Sequence, residues 1–142
     1  MSAFTARLGV CRKAAIISEK KQILCVEDDA DTSGLISFVL RNYQVAGAHR
    51  VAEALRRAHS EKFDLYLVDY HLPDGTGIEL CLMLRTFDRD TPVLFVTGTS
   101  SITETQVIIA GAQGLIRKGT SFVDELPVRV SQLVNLSEST NC

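Results

Sequence analysis

Five short apolar runs, at about 22–26, 44–48, 65–69, 92–97 and 114–117, alternate with five stretches of helical period, at about 31–42, 51–60, 77–87, 101–111 and 122–136. That alternation constrains the fold more than any other feature. The runs are too short for helices, and the middle ones lack polar alternation, as strands do when helices cover both faces of a sheet. Strands joined through helices run parallel with right-handed crossovers. The chain is therefore predicted to be α/β, a doubly wound sandwich with five parallel strands in the order 2-1-3-4-5. Pro73, Gly75 and Gly77 punctuate the loop after the third run, and Thr91-Pro92 opens the fourth. Leu35, Phe38, Val39 and Asn42 mark one face of the first predicted helix, and Ile78, Leu80, Cys81, Leu82 and Leu84 crowd the third.

Four of the runs end in groups able to handle a phosphoryl group. Glu27-Asp28-Asp29 follows the first, Asp69 closes the third, Thr97 the fourth and Lys118 the fifth. In an open parallel sheet the carboxyl ends of the strands form one rim, and ligands bind in the crevice beyond it. Taken singly, each residue has a structural role to weigh: Asp29 or Asp31 as a helix cap, Thr97 as a turn residue, Lys118 as a solvated charge. Taken together, several carboxylates at one edge repel one another, which raises a pKa or recruits a cation. Oxygen ligands in that number suit Mg²⁺.

At 142 residues the chain has the length of one domain. Its 46% apolar and 23% charged residues read as an ordinary globular composition. A net charge of -2 without a basic cluster gives no electrostatic case for nucleic acid. The cysteines at 11, 25, 81 and 142 lack a Cys-x-x-Cys spacing, which favours free thiols in a reducing cytoplasm. Residues 1–21 read as a flexible extension. Leu8-Gly9-Val10-Cys11 resembles a lipoprotein cleavage box but lacks the small residue and the apolar run that such a box needs. No stretch approaches the roughly 20 apolar residues of a membrane span, so a cytoplasmic location is expected. Residues 137–142 read as a tail, too short for an output module.

These segments resemble the receiver domain of bacterial response regulators. The carriers are Ile-Leu-Cys-Val-Glu-Asp-Asp at 23–29, Asp-Leu-Tyr-Leu-Val-Asp-Tyr-His-Leu-Pro-Asp-Gly-Thr-Gly at 64–77, Val-Thr-Gly at 96–98 and Gly-Ala-Gln-Gly-Leu-Ile-Arg-Lys at 111–118, and the likeness spans about 22–136. It implies a flavodoxin-like receiver fold whose Asp69 accepts a phosphoryl group from a histidine kinase or phosphotransfer protein. It further implies that Asp28 binds Mg²⁺ directly, that Glu27 acts on the metal's water shell, and that the backbone carbonyl of His71 adds a ligand. Lys118 would pair with the carboxylate or phosphate, and Thr97 would donate its hydroxyl to a phosphoryl oxygen and draw its loop inward. Asp74 is read as a turn residue only. With no output module in view, signalling is expected through contact with a downstream protein.

Two positions depart from the family pattern. Lys118-Gly119 stands where the family has Lys-Pro with a cis bond, and a non-proline cis peptide costs roughly 2.5–4 kcal/mol. A trans bond is therefore expected, with Lys118 less firmly placed. Leu115 stands where the family has an aromatic that rotates inward on phosphorylation, so transmission to the helix-4, strand-5, helix-5 face is expected to be weak. On that face Ile102, Val107, Ile108, Phe122 and Val123 supply apolar character. Among other classes, an aspartyl phosphatase would place an acid where His71 stands. A flavin carrier would not follow its first strand with Glu27-Asp28-Asp29, and a P-loop enzyme would need Gly-x-x-x-x-Gly-Lys. The alternative is a receiver fold used as an interaction module independent of phosphorylation.

Overall fold

The computed structural model describes residues 20–141, so nearly all of the expected extension over 1–21 lies outside the described residues. Five parallel strands form the sheet: β1 (Gln22–Val26), β2 (Gln44–Ala48), β3 (Leu65–Val68), β6 (Val93–Thr97) and β7 (Gly114–Arg117). Their spatial order is β2-β1-β3-β6-β7, the predicted topology once two inserted strands are counted. Those two, β4 (His71–Leu72) and β5 (Gly75–Thr76), form an antiparallel hairpin after β3 that the sequence reading did not foresee. Register places Val26 beside Val68, Val68 beside Phe95, and Thr97 beside Arg117. The carboxyl ends of the strands therefore meet along one rim.

Five helices cover the sheet: α1 (Ala30–Val39), α2 (Val51–Ser60), α3 (Gly77–Leu84), α4 (Glu104–Ile109) and α5 (Phe122–Asn141). Alternation along the strands sends successive side chains to opposite faces. Leu24, Val26, Tyr66, Val68 and Phe95 pack with α2, α3 and α4 residues such as Ala54, Leu80 and Val107. Ile23, Cys25, Leu65, Leu67 and Leu94 pack with Ile36 and Leu40 near α1 and with Leu126 and Val130 of α5. The expected face of α1 is corrected here. Ile36 and Leu40 are buried, whereas Leu35 and Phe38 are exposed and the Arg41 guanidinium lies 4.6 Å from the Phe38 ring centroid. The helix is apolar on two sides, and the i, i+4 pair facing the sheet wins.

Caps set the helix limits. Asp29 accepts from the Thr32 N–H at 2.8 Å and starts α1. Thr76 with Glu79 and Thr103 with Gln106 form capping boxes, which start α3 at Gly77, as expected, and α4 at Glu104, three residues later than the helical period of the fourth segment suggests. Arg50 gives α2 no side-chain cap. Asp74 supplies it instead, accepting from the N–H groups of Val51 at 2.7 Å and Ala52 at 3.0 Å. That residue is more than a turn former. It ties the hairpin to a helix more than 20 residues away in sequence. With no Gly or Pro after Leu136, α5 runs on to Asn141, past the expected end at about 136.

Candidate metal and phosphoryl site

Asp69 follows β3 directly, and its N–H donates to the Val26 carbonyl at 3.0 Å, so the ladder with β1 continues through it. Glu27 extends β1 in the same way, donating to the Ala48 carbonyl at 2.9 Å. Both side chains are consequently drawn into the rim: Glu27 is 2% and Asp69 9% exposed. Asp28, one residue on, is exposed. One oxygen from each of Glu27, Asp28 and Asp69 lies within 4.8 Å of the others. An all-oxygen set of three carboxylates matches the donor chemistry of a hard divalent cation.

Lys118 enters from the end of β7, where its N–H donates to the Thr97 carbonyl at 2.9 Å. Its ammonium reaches past β6 to donate to Asp69 Oδ2 at 3.3 Å and past β6 and β3 to donate to Glu27 Oε1 at 2.9 Å. The Lys118–Gly119 bond is trans, as all peptide bonds among the described residues are. With that bond trans, Lys118 reaches both acids. Asp69 Oδ1 accepts from the Tyr70 N–H at 2.7 Å, which leaves its two oxygens with separate partners.

Burial pushes the Glu27 carboxyl up, the bond from Lys118 opposes that shift, and the neighbouring Asp69 charge adds to it. The outcome lies above the ordinary carboxylate range. For Lys118, burial acts downward, but the bond to Glu27 and the charge of Asp69 outweigh it and the ammonium is held above its usual pKa. The cluster thus keeps three acids against the one cation bonded to it among the described residues.

Thr97 ends β6 beside these groups and is 1% exposed. Its hydroxyl oxygen accepts from the Thr99 N–H at 3.3 Å. His71 opens the hairpin two residues after Asp69, paired with Thr76. Gly77 fixes how close α3 comes: a Cβ there would sit 2.4 Å from the Asp69 carbonyl oxygen and 2.7 Å from the Phe95 ring. Leu115 is half-buried against the core face that holds Phe95 and Val107. Of the five residues expected on the α4–β7–α5 face, Ile102, Val107 and Phe122 are core, while Ile108 and Val123 are exposed, together with Ile109 at 79% and Val128 at 56%.

The model of the response regulator receiver domain matches residues 23–130. The chain belongs to that family. It is 33% identical over 127 residues to the transcriptional regulatory protein ZraR of Klebsiella oxytoca, covering 85% of this chain and 28% of that protein. It is 28% identical to the cell cycle transcriptional regulator CtrA of Caulobacter vibrioides, covering 82% of this chain and 52% of that protein. The chain thus spans between about a quarter and half of these curated relatives. Among solved structures it resembles a CheY-like receiver domain protein from Methanospirillum hungatei, with a TM-score of 0.79, 26% identity and coverage of 86% and 99% of the two chains. It also resembles the response regulator TrrA of Thermotoga maritima, solved in complex with Mg²⁺ and BeF, with a TM-score of 0.73, 28% identity and coverage of 80% and 98%. The receiver fold expected from the sequence is borne out. No described helix is long and apolar enough to cross a membrane.

Proposed function

We propose that this receiver domain accepts a phosphoryl group on Asp69 from a histidine kinase or phosphotransfer protein, in the cytoplasm, and passes its state to a protein target by contact. The observation that supports this most is the charge imbalance at the rim: three carboxylates cluster there, and one ammonium bonds two of them, Glu27 at 2.9 Å and Asp69 at 3.3 Å. In the transfer, an Asp69 carboxylate oxygen forms a new bond to phosphorus while the donor's P–N bond breaks. The electron pair leaves with the imidazole nitrogen, and the product is an acyl phosphate. Glu27, Asp28 and Asp69, with the His71 backbone carbonyl, would hold Mg²⁺, which when bound offsets the charge that two approaching anions bring together.

The chain's own groups do the rest. Lys118 is a point charge already bonded to one Asp69 oxygen, so it stabilises negative charge without moving far. The Tyr70 N–H orients the carboxylate through its other oxygen. The Thr97 hydroxyl, now accepting from Thr99, is free to turn and donate to a phosphoryl oxygen. Incubation with acetyl phosphate should label the wild type only when Mg²⁺ is supplied, and Asp69→Asn should abolish labelling. Equal labelling in EDTA, or on the Asn variant, would overturn the assignment of metal and acceptor.

A second reading, a constitutive interaction module, draws on Leu115, which packs half-buried against the core and has no hydroxyl to exchange between environments. NMR shifts with and without a beryllofluoride mimic separate the two. A module independent of phosphorylation requires the face carrying Ile108, Ile109, Val123 and Val128 to stay unchanged.

A further inference from the structure

Arg117 is the last residue of β7, two positions after Leu115 and therefore on the same face of the sheet. Its guanidinium leaves the strand edge and donates from Nη1 to the Thr99 carbonyl and from Nη2 to the Ile102 carbonyl, the latter at 2.5 Å. Those carbonyls bracket the loop that joins Thr97 to the capping box of α4 at Thr103. The loop is pinned from within as well. The Thr97 hydroxyl accepts from the Thr99 N–H, the Thr99 and Ser101 hydroxyls lie 2.8 Å apart, and the Ser101 N–H donates to Thr99 Oγ1 at 3.2 Å. The inner bonds are neutral and the outer two are charge-assisted, which makes Arg117 the strongest restraint on the segment.

We infer that Arg117 is a positioning residue for the proposed phosphoryl transfer: its two-pronged hold on Thr99 and Ile102 sets where the Thr97 hydroxyl can sit. The role rests on the phosphoacceptor reading. It also supplies what Leu115 lacks. Leu115 cannot signal a change at the loop through a polar group, whereas Arg117 touches the loop at two points and is covalently joined to Lys118, which touches Asp69. Movement of the loop backbone over Thr99–Ile102 with Thr97 toward a phosphoryl group must either carry the guanidinium with it or break one of its bonds to the Thr99 and Ile102 carbonyls. Lysine could not replace it, because a single ammonium on a flexible stem does not span two carbonyls as a planar fork does.

The experiment compares the wild type, Arg117→Ala, Arg117→Lys, Thr97→Ala and the Thr97→Ala/Arg117→Ala pair. With acetyl phosphate and Mg²⁺, Arg117→Ala should accept label about tenfold more slowly, since displacing a reacting group by about 1 Å costs rates of that order or more. Arg117→Lys should remain slow. Because Arg117 acts through Thr97, adding Arg117→Ala to Thr97→Ala should slow labelling no further. Amide hydrogen exchange of residues 98–103 in the unphosphorylated protein should speed up in both Arg117 variants, while the strands keep their protection.

Multiplying effects in the double variant, a wild-type rate in Arg117→Ala, or unchanged exchange of the loop would each overturn the positioning role. Those outcomes would leave Asp69 as the acceptor untouched. A wild type that takes no label with Mg²⁺ present would overturn the phosphoacceptor reading itself, and with it the role given to Arg117.

Discussion

Both ends of the sheet carry acids, with opposite electrostatics. At the amino end, Asp88 accepts from the Tyr66 hydroxyl at 2.8 Å and from the N–H groups of Thr91 at 3.1 Å and Asp90 at 3.3 Å. Asp64 accepts from the Gln22 N–H at 2.7 Å. Burial acts to raise the Asp88 carboxyl, but its donors prevail and hold it below the usual range. At the carboxyl end burial prevails instead, and Glu27 lies above that range despite its bond to Lys118. Acids at the first end are satisfied by donors of the fold. Those at the second are left short of positive charge, the condition for drawing a cation and another anion to the rim.

The sharpest test of this contrast is steric. Gly77 seats α3 against the Asp69 carbonyl with no room for a methyl group, whereas a Cβ at Gly119 would meet nothing within 4 Å. Gly77→Ala should cost about 3 kcal/mol in urea unfolding, because the clash is with backbone and a buried ring that cannot yield. Gly119→Ala should stay within about 0.5 kcal/mol of the wild type. Similar stabilities for the two variants would mean that α3 does not press on the acceptor strand as described.

A smaller effect separates the acids themselves. Asp88→Ala leaves the hydroxyl of the buried Tyr66 without its acceptor and should cost about 2 kcal/mol. Asp28→Ala removes one of three clustered negative charges from an exposed position and should cost nothing when divalent cations are absent. It should also weaken the stabilisation that added Mg²⁺ gives, which thermal unfolding with and without the ion measures. Loss of stability in Asp28→Ala without Mg²⁺ would show that the rim acids are satisfied after all.

The sequence reveals much of this contrast, and the exceptions have physical causes. The five sheet strands were legible because uninterrupted apolar runs in a chain of this length have few other uses, and the rim acids because each directly follows such a run. Two inserted strands went unread since each is only two residues long, although Pro73-Asp74 before Gly75 carries a turn signal. The buried face of α1 is not legible in the sequence because Leu35 and Phe38 are as apolar as Ile36 and Leu40, and only the position of the sheet decides between the pairs. Asp74 and Arg117 escaped for a common reason. Their partners are main-chain groups of Val51, Ala52, Thr99 and Ile102, and a backbone N–H or carbonyl leaves no mark on residue identity.

The smallest expected effect lies in the pH dependence of stability. A carboxyl held above its ordinary value binds its proton in the folded chain at pH values where the unfolded chain, near about 4.3, has already released it. Through the window between those two values the folded state holds more protons, so Glu27 takes stability away as pH rises and takes no more once the pH exceeds its lifted pKa. Asp88 has the reverse sign: its contribution is present above about 3.9 and is lost as pH falls through its lowered pKa. Glu27→Gln should therefore gain on the wild type as pH is raised through the first window, then run parallel to it. Asp88→Asn, which keeps an acceptor for Tyr66, should lose ground as pH is raised through the second window. Urea titrations of the three proteins at matched pH values measure both gaps. If the Glu27→Gln gap closed rather than opened with rising pH, the bond to Lys118 would outweigh burial, and the two ends of the sheet would share one electrostatic rule.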